Sequence, residues 1–161
     1  MSTVSTTAVQ VPEGLHISPQ VICHATHLRK ATRRITMLYD SLLAPSGLRS
    51  TQRSIMMQIA RSGAVSMSDL AKLLVIDKSA IAHNLKPLER GGWVSVVVDP
   101  CDRRSRKVTL TQSGVDKLLE TQPLWEKAQA SFEKGLGVEA ASELRQTLAR
   151  ATECTFEGGE F

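Results

Sequence analysis

The sequence predicts a mainly α-helical protein with a small β-hairpin wing, a winged helix-turn-helix carried on longer flanking helices. Three observations lead there. Apolar residues recur at three- and four-residue intervals over most of the 161 residues; two short helical stretches meet across a three-residue link at residues 75–77; and the apolar period drops to two just after Gly91-Gly92.

The first 17 residues are rich in Ser, Thr and Val without a sustained period and read as a mobile arm or a dimer-wrapping extension. Ser18 is a plausible N-cap with Pro19 at the first helical position. Leu28, Ala31, Ile35, Leu38 and Leu42 then carry an amphipathic helix to Pro45-Ser46-Gly47. So long a stripe exceeds what one small core covers, which suggests a partner helix from the same or a second subunit. A second helix runs from Ser50 or Thr51 to Arg61 on Ile55, Met56 and Ile59, and Ser62-Gly63 stops it. A short third helix has Ser68 as its expected N-cap, Asp69 in its first turn, and Leu70, Leu73 and Leu74 inside. Asp77 caps a fourth, with Ile81, Leu85 and Leu88 as its buried face and Pro87 removing one backbone donor late in its course. Val94, Val96 and Val98 form the outgoing hairpin arm, residues 99–102 the turn, and Val108 and Leu110 the return. Thr111 caps a fifth helix on Val115, Leu118, Leu119, Leu124 or Trp125, Ala128 and Phe132, which Pro123 is expected to kink. Gly135 and Gly137 separate it from a sixth on Val138, Ala141, Leu144, Leu148 and Ala151.

Composition narrows the function classes. No window approaches the roughly 18 apolar residues of a membrane span, and the first residues lack a basic start followed by an apolar stretch, so a cytoplasmic protein without membrane contact is expected. Cys23, Cys101 and Cys154 are odd in number and widely spaced, which fits neither a disulfide framework nor a zinc finger. No cofactor motif is present. The net charge of +4 is unevenly placed: residues 78–111 carry seven Lys/Arg against three acids, whereas residues 112–161 carry five against nine. A basic centre beside an acidic region is what a polyanion site with a surface turned away from it requires.

A helix, a turn, a second helix and a basic hairpin divide duplex recognition between them. The second helix fits a major groove, whose base edges show distinct donor and acceptor patterns, and the hairpin reaches flanking minor groove or backbone. Ser79, Ala82, His83 and Lys86 fall at i, i+3, i+4 and i+7, opposite the Ile81, Leu85, Leu88 stripe. Ser79 and His83 suit base edges, Ala82 a thymine methyl, and Lys86 a phosphate.

The hairpin segment Asp102-Arg103-Arg104-Ser105-Arg106-Lys107-Val108-Thr109-Leu110-Thr111 resembles the D-x-R-x-x-x-x-x-L-T wing of the MarR (multiple antibiotic resistance regulator) family, and Asp99-Pro100-Cys101-Asp102 resembles its strand-to-wing turn. Leu70-Ala71, the Leu85-x-x-Leu88-Glu89-x-x-Gly92 helix end, and the long first and two closing helices extend the likeness over most of the chain. The resemblance implies a homodimer joined through residues 18–47 and 111–157, a winged helix-turn-helix over residues 48–110, and a palindromic double-stranded DNA operator. It implies that Arg104 is the DNA-contacting wing residue, with Asp102 as the intramolecular partner that shapes the wing; Arg103 and Arg106 share that work or solvate the turn. It further implies a regulator, a repressor in this reading, released by a small aromatic or anionic effector or by an oxidant. An effector pocket near His27, Arg53, Met56 and Met57 follows from family geometry.

Cys23 and His27 lie four apart, with His24 adjacent. The group reads as a metal half-site, as a thiol beside an imidazole, or simply as a small buried hydrophobe next to two histidines. Organic-hydroperoxide sensors of the resembled family keep a reactive thiol near the start of the first helix, although residues 21–27 otherwise differ from that subgroup. Cys101 stands between acids that disfavour its thiolate. A Cys/His enzyme is the contrasting reading. It lacks an orienting third group, a glycine-rich phosphate loop and a G-x-S-x-G turn, so no catalytic residue and no metal ligand set is assigned.

Overall fold

The computed structural model describes residues 13–14, 23–100 and 102–155. The 1–17 arm apart from Glu13 and Gly14, the Ser18-Pro19 helix start, and Cys101 lie outside the described residues. By backbone contacts the chain divides into residues 1–33 and residues 34–161.

Six α-helices and three strands follow in order: α1 His24–Leu43, α2 Ser50–Ser62, β1 Val65–Ser66, α3 Met67–Leu74, α4 Lys78–Arg90, β2 Val94–Val98, β3 Arg106–Leu110, α5 Gln112–Leu136 and α6 Val138–Glu153. α1 ends in a 3-10 turn, Ala44–Ser46, with Gly47 left-handed at φ 73°. The Asp40 carboxylate then accepts hydrogen bonds from the backbone N–H and the hydroxyl of Ser50, at 2.7 and 2.6 Å. That satisfies an otherwise orphaned donor at the start of α2 and sets a negative charge against the positive end of its dipole.

The N-cap of α3 is Ser66, two residues before the expected Ser68. Its hydroxyl oxygen accepts from the Asp69 N–H at 3.0 Å and donates to the Asp69 carboxylate at 2.7 Å. The cap moves because Val65 and Ser66 form a strand that sequence periodicity missed: β1 pairs antiparallel with β3, Val65 opposite Val108. The expected two-stranded hairpin is therefore a three-stranded sheet, ordered β1-β3-β2, with Val94 opposite Leu110 and Val98 opposite Arg106.

Ile55, Met56, Ile59, Leu70, Ile81, Leu85, Leu88, Val94 and Val108 form one core between α2, α3, α4 and the sheet. Burying a side chain of this size contributes about 1.5–3 kcal/mol each, so this cluster fixes the helix-turn-helix. The longer helices behave differently. Val115, Leu119, Val138 and Leu148, all expected in apolar stripes, are exposed in the single chain, Leu119 by 66%. Gly135 lies inside α5, which continues to Leu136, and α5 passes through Pro123 as one helix.

The sheet is fastened to α5 by backbone. Thr111 N–H donates to the Trp93 carbonyl at 3.1 Å, the Thr111 hydroxyl donates to the Gly92 carbonyl at 2.6 Å, and that hydroxyl oxygen accepts from Gly114 N–H at 3.0 Å. A Cβ on Gly114 would lie 2.0 Å from the Trp93 carbonyl oxygen, so only glycine permits this approach.

Candidate nucleic-acid interface

The join between α3 and α4 fixes the angle of the second helix. Val75 closes α3 in the left-handed region at φ 52°, its N–H bonded to the Lys72 carbonyl at 3.1 Å, and Ile76 N–H bonds the Ala71 carbonyl at 3.0 Å. A β-branched residue rarely adopts that conformation, which costs on the order of 1–3 kcal/mol. α4 then starts on Asp77, whose carboxylate accepts from the Ser79 hydroxyl at 2.5 Å and the Ala80 N–H at 2.8 Å. These two bonds hold the carboxyl below the ordinary aspartate range, the Ser79 hydroxyl contributing most.

The inner face of α4, Ile81, Leu85 and Leu88, is buried. On the outer face Ser79, His83 and Lys86 are exposed and Ala82 is half-buried. The Ser79 hydroxyl donates to Asp77, so its oxygen keeps acceptor capacity outward. Pro87 lies within α4 and has no N–H, which leaves the His83 carbonyl without its intrahelical donor.

The wing turn is closed by backbone. Asp99 N–H bonds the Ser105 carbonyl at 3.0 Å, Asp102 N–H the Asp99 carbonyl at 3.2 Å, and Ser105 N–H the Asp102 carbonyl at 2.8 Å. The Asp102 carboxylate accepts from the backbone N–H of Arg104 at 2.9 Å. Asp102 thus partners Arg104 through its main chain, and the guanidinium is left to solvent. Arg103, Arg104 and Arg106 are exposed and form no ion pair among the described residues. Lys107 instead pairs with Asp99 at 3.1 Å. A solvated arginine row beside an outward polar helix face can meet phosphates and base edges together.

The four residues expected around an effector separate. Arg53 and Met57 line a cavity of about 370 Å³ between α2 and α5, with Arg61, Leu74, Gln122 and Trp125. Met56 is fully buried in the core. His27 belongs to residues 1–33, where its Nδ1 lies 3.0 Å from the Cys23 carbonyl oxygen and both residues are exposed. Trp125 and Gln122 were not legible as pocket residues, because a helix-period stripe marks burial and not what the buried side chain faces. An arginine at i and methionine at i+3 in the α2 stripe was the one available signal. A second cavity, about 430 Å³, lies between α1, α2 and α4 and includes Tyr39 and Asn84, which sequence reasoning also missed.

Cys23 precedes α1 and is exposed. A hydrogen bond with the Thr26 side chain, then one with the Thr26 backbone, lowers its pKa below the ordinary thiol value. No group of three or more His, Cys, Asp or Glu is arranged to hold a metal among the described residues, and no helix among them is long and apolar enough to cross a membrane.

A family model described as MarR family matches residues 46–105. The chain is 31% identical over 110 residues to the transcriptional activatory protein BadR of Rhodopseudomonas palustris, covering 63% of this chain and 59% of that protein. It is 30% identical over 77 residues to the multiple antibiotic resistance protein MarR of Salmonella typhimurium, covering 48% and 54%. The chain thus spans little more than half the length of these curated relatives. Among solved structures it is similar to the M. tuberculosis transcriptional regulator MOSR in complex with DNA, at TM-score 0.73 and 30% identity over 82% of this chain and 95% of that one. The fold is also that of a mutant MarR from E. coli complexed with operator DNA, at TM-score 0.71 and 21% identity over 79% and 91%.

Proposed function

Since the chain belongs to the MarR family, we propose that it is a cytoplasmic transcription regulator that binds duplex DNA sequence-specifically as a homodimer. One observation carries the reading. α4 turns Ser79, His83 and Lys86 outward from a fully apolar inner face, and an arginine row without ion pairs stands at the adjoining wing. α4 reads the major groove, Arg104 contacts minor-groove edges or phosphates, and Arg103 and Arg106 add phosphate contacts. The exposed apolar side chains of α5 and α6 support a second copy as their cover. The relatives crystallised with DNA support the same partner.

In this reading the protein represses, and a small ligand releases it. The thiol reading has one observation in its favour, the hydrogen bonds that promote the Cys23 thiolate. Selection from a randomised duplex pool, followed by anisotropy titration at several salt concentrations, tests the reading. It should return an inverted repeat with half-sites about 34–36 Å apart and an affinity that falls steeply with salt. Light scattering should give twice the 17.6 kDa chain mass. A monomer that enriches no sequence would overturn the proposal. For the thiol arm, peroxide should release wild type and spare Cys23→Ser; equal responses remove Cys23 from the mechanism.

A further inference from the structure

Arg53 is 5% exposed, yet no carboxylate pairs with it among the described residues. Its Nε donates to Thr121 Oγ1 at 3.2 Å and its Nη2 to Gln122 Oε1 at 2.7 Å, and the guanidinium lies 4.9 Å from the Trp125 ring centroid. All three partners are neutral. The nearest acid on this path, Glu126, is exposed and is reached only through Gln122, whose Nε2 donates to it at 2.8 Å. Taking a guanidinium out of water is costly, and neutral acceptors return only part of that cost. Arg61, two turns further along α2, faces the same cavity. Its charge, after burial, pushes the Arg53 pKa down, so two cations are held at one opening.

The chemistry of an occupant follows from what is left unused. A guanidinium has five N–H donors, of which Thr121 and Gln122 take two. The rest include both on Nη1, so a flat carboxylate can be held by two parallel bonds. The remaining walls include Met57, Leu74 and Trp125, and the volume of about 370 Å³ leaves room for an apolar body that inorganic phosphate does not have.

We infer that Arg53, Arg61, Gln122 and Trp125 form a binding site between α2 and α5 for a small organic monocarboxylate, its carboxylate on Arg53 and its apolar body against Met57 and Leu74. Only the regulatory meaning of this site rests on the ligand-release reading above. Occupancy supplies the counter-charge that Arg53 lacks and ties α2, part of the helix-turn-helix core, to α5.

Calorimetric titration of the DNA-free protein tests the site, using benzoate and hexanoate, with benzamide and inorganic phosphate as controls. At least one acid should saturate with a dissociation constant below about 1 mM, and both controls should bind about tenfold more weakly or worse. Arg53→Met should weaken that acid by at least about tenfold while melting no lower than wild type, because methionine replaces a buried charge that no protein anion balances. Arg61→Gln, at an exposed position, should weaken binding by a smaller factor and gives a second readout if Arg53→Met fails to fold. Saturation by neither acid up to about 10 mM, equal binding of benzamide, or undiminished binding by Arg53→Met would each overturn the site. Because duplex is absent, any of these results leaves the DNA-binding proposal standing. Acid that binds but leaves duplex affinity unchanged upholds the site and removes its part in release.

Discussion

His83 and Arg104 are both exposed, but their surroundings assign them different parts of recognition. His83 is on the outer face of a helix whose angle is fixed by the core, so it can be aimed at one base edge. Its replacement by alanine should cost about 1–3 kcal/mol at one operator position and leave random-duplex affinity nearly unchanged. Arg104 extends from a turn into solvent; Arg104→Ala should weaken operator and random duplex together and lower the salt slope by about one unit. Anisotropy titrations over a salt series separate the two. Asp102 sharpens the comparison because its carboxylate grips the Arg104 backbone N–H. Asp102→Asn keeps an acceptor while removing a negative charge and should bind duplex at least as tightly as wild type. Asp102→Ala loses the acceptor, loosens the turn and should bind less tightly. If Asp102→Ala gains affinity as much as Asp102→Asn does, bulk charge outweighs turn geometry.

Among the elements, the helix-turn-helix join carries the least relaxed backbone. Val75 is exposed by 72% and left-handed, so its side chain contributes little packing against the strain of its backbone. Val75→Gly should stabilise the fold by about 1 kcal/mol in urea titration. The cap of α4 gives a pH signature. Asp77 titrates below its ordinary value of about 4, so the stability from its hydrogen bonds is fully present above that value and is lost as pH falls through the depressed one. Asp77→Ala should therefore melt below wild type at neutral pH, with the gap closing in acid. The same region marks what sequence can convey. Asp77, Thr111, and the Ile81, Leu85, Leu88 stripe were legible because caps and 3.6-residue periods are local signals. β1 was not, since two residues carry no period and Val65-Ser66 becomes a strand only by pairing with Val108 and Lys107. Ser66 and Ser68 looked equally able to cap until that strand fixed where α3 begins. Arg53 sat visibly in an apolar stripe, but that it is balanced by Thr121, Gln122 and Trp125 instead of an acid depends on residues about 70 positions away.

On the scale of the whole molecule, the Gly114 contact joins two parts with different tasks. Gly114→Ala would drive a methyl into the Trp93 carbonyl and should cost about 2–3 kcal/mol by thermal or urea unfolding. Any variant protein that does fold should show altered duplex affinity although residue 114 is far along the chain from α4. The geometry explains why. With Thr111 and Gly114 bonded to the last residues before β2, the wing base and the start of α5 turn as a single piece. The 25 residues of α5 make a rod about 37 Å long, so tilting its root by about 10° sweeps its tip through about 6 Å. α5 is thus a lever with its fulcrum at Gly114: small adjustments of the wing become large displacements at Leu136, and force applied there returns to the wing as torque.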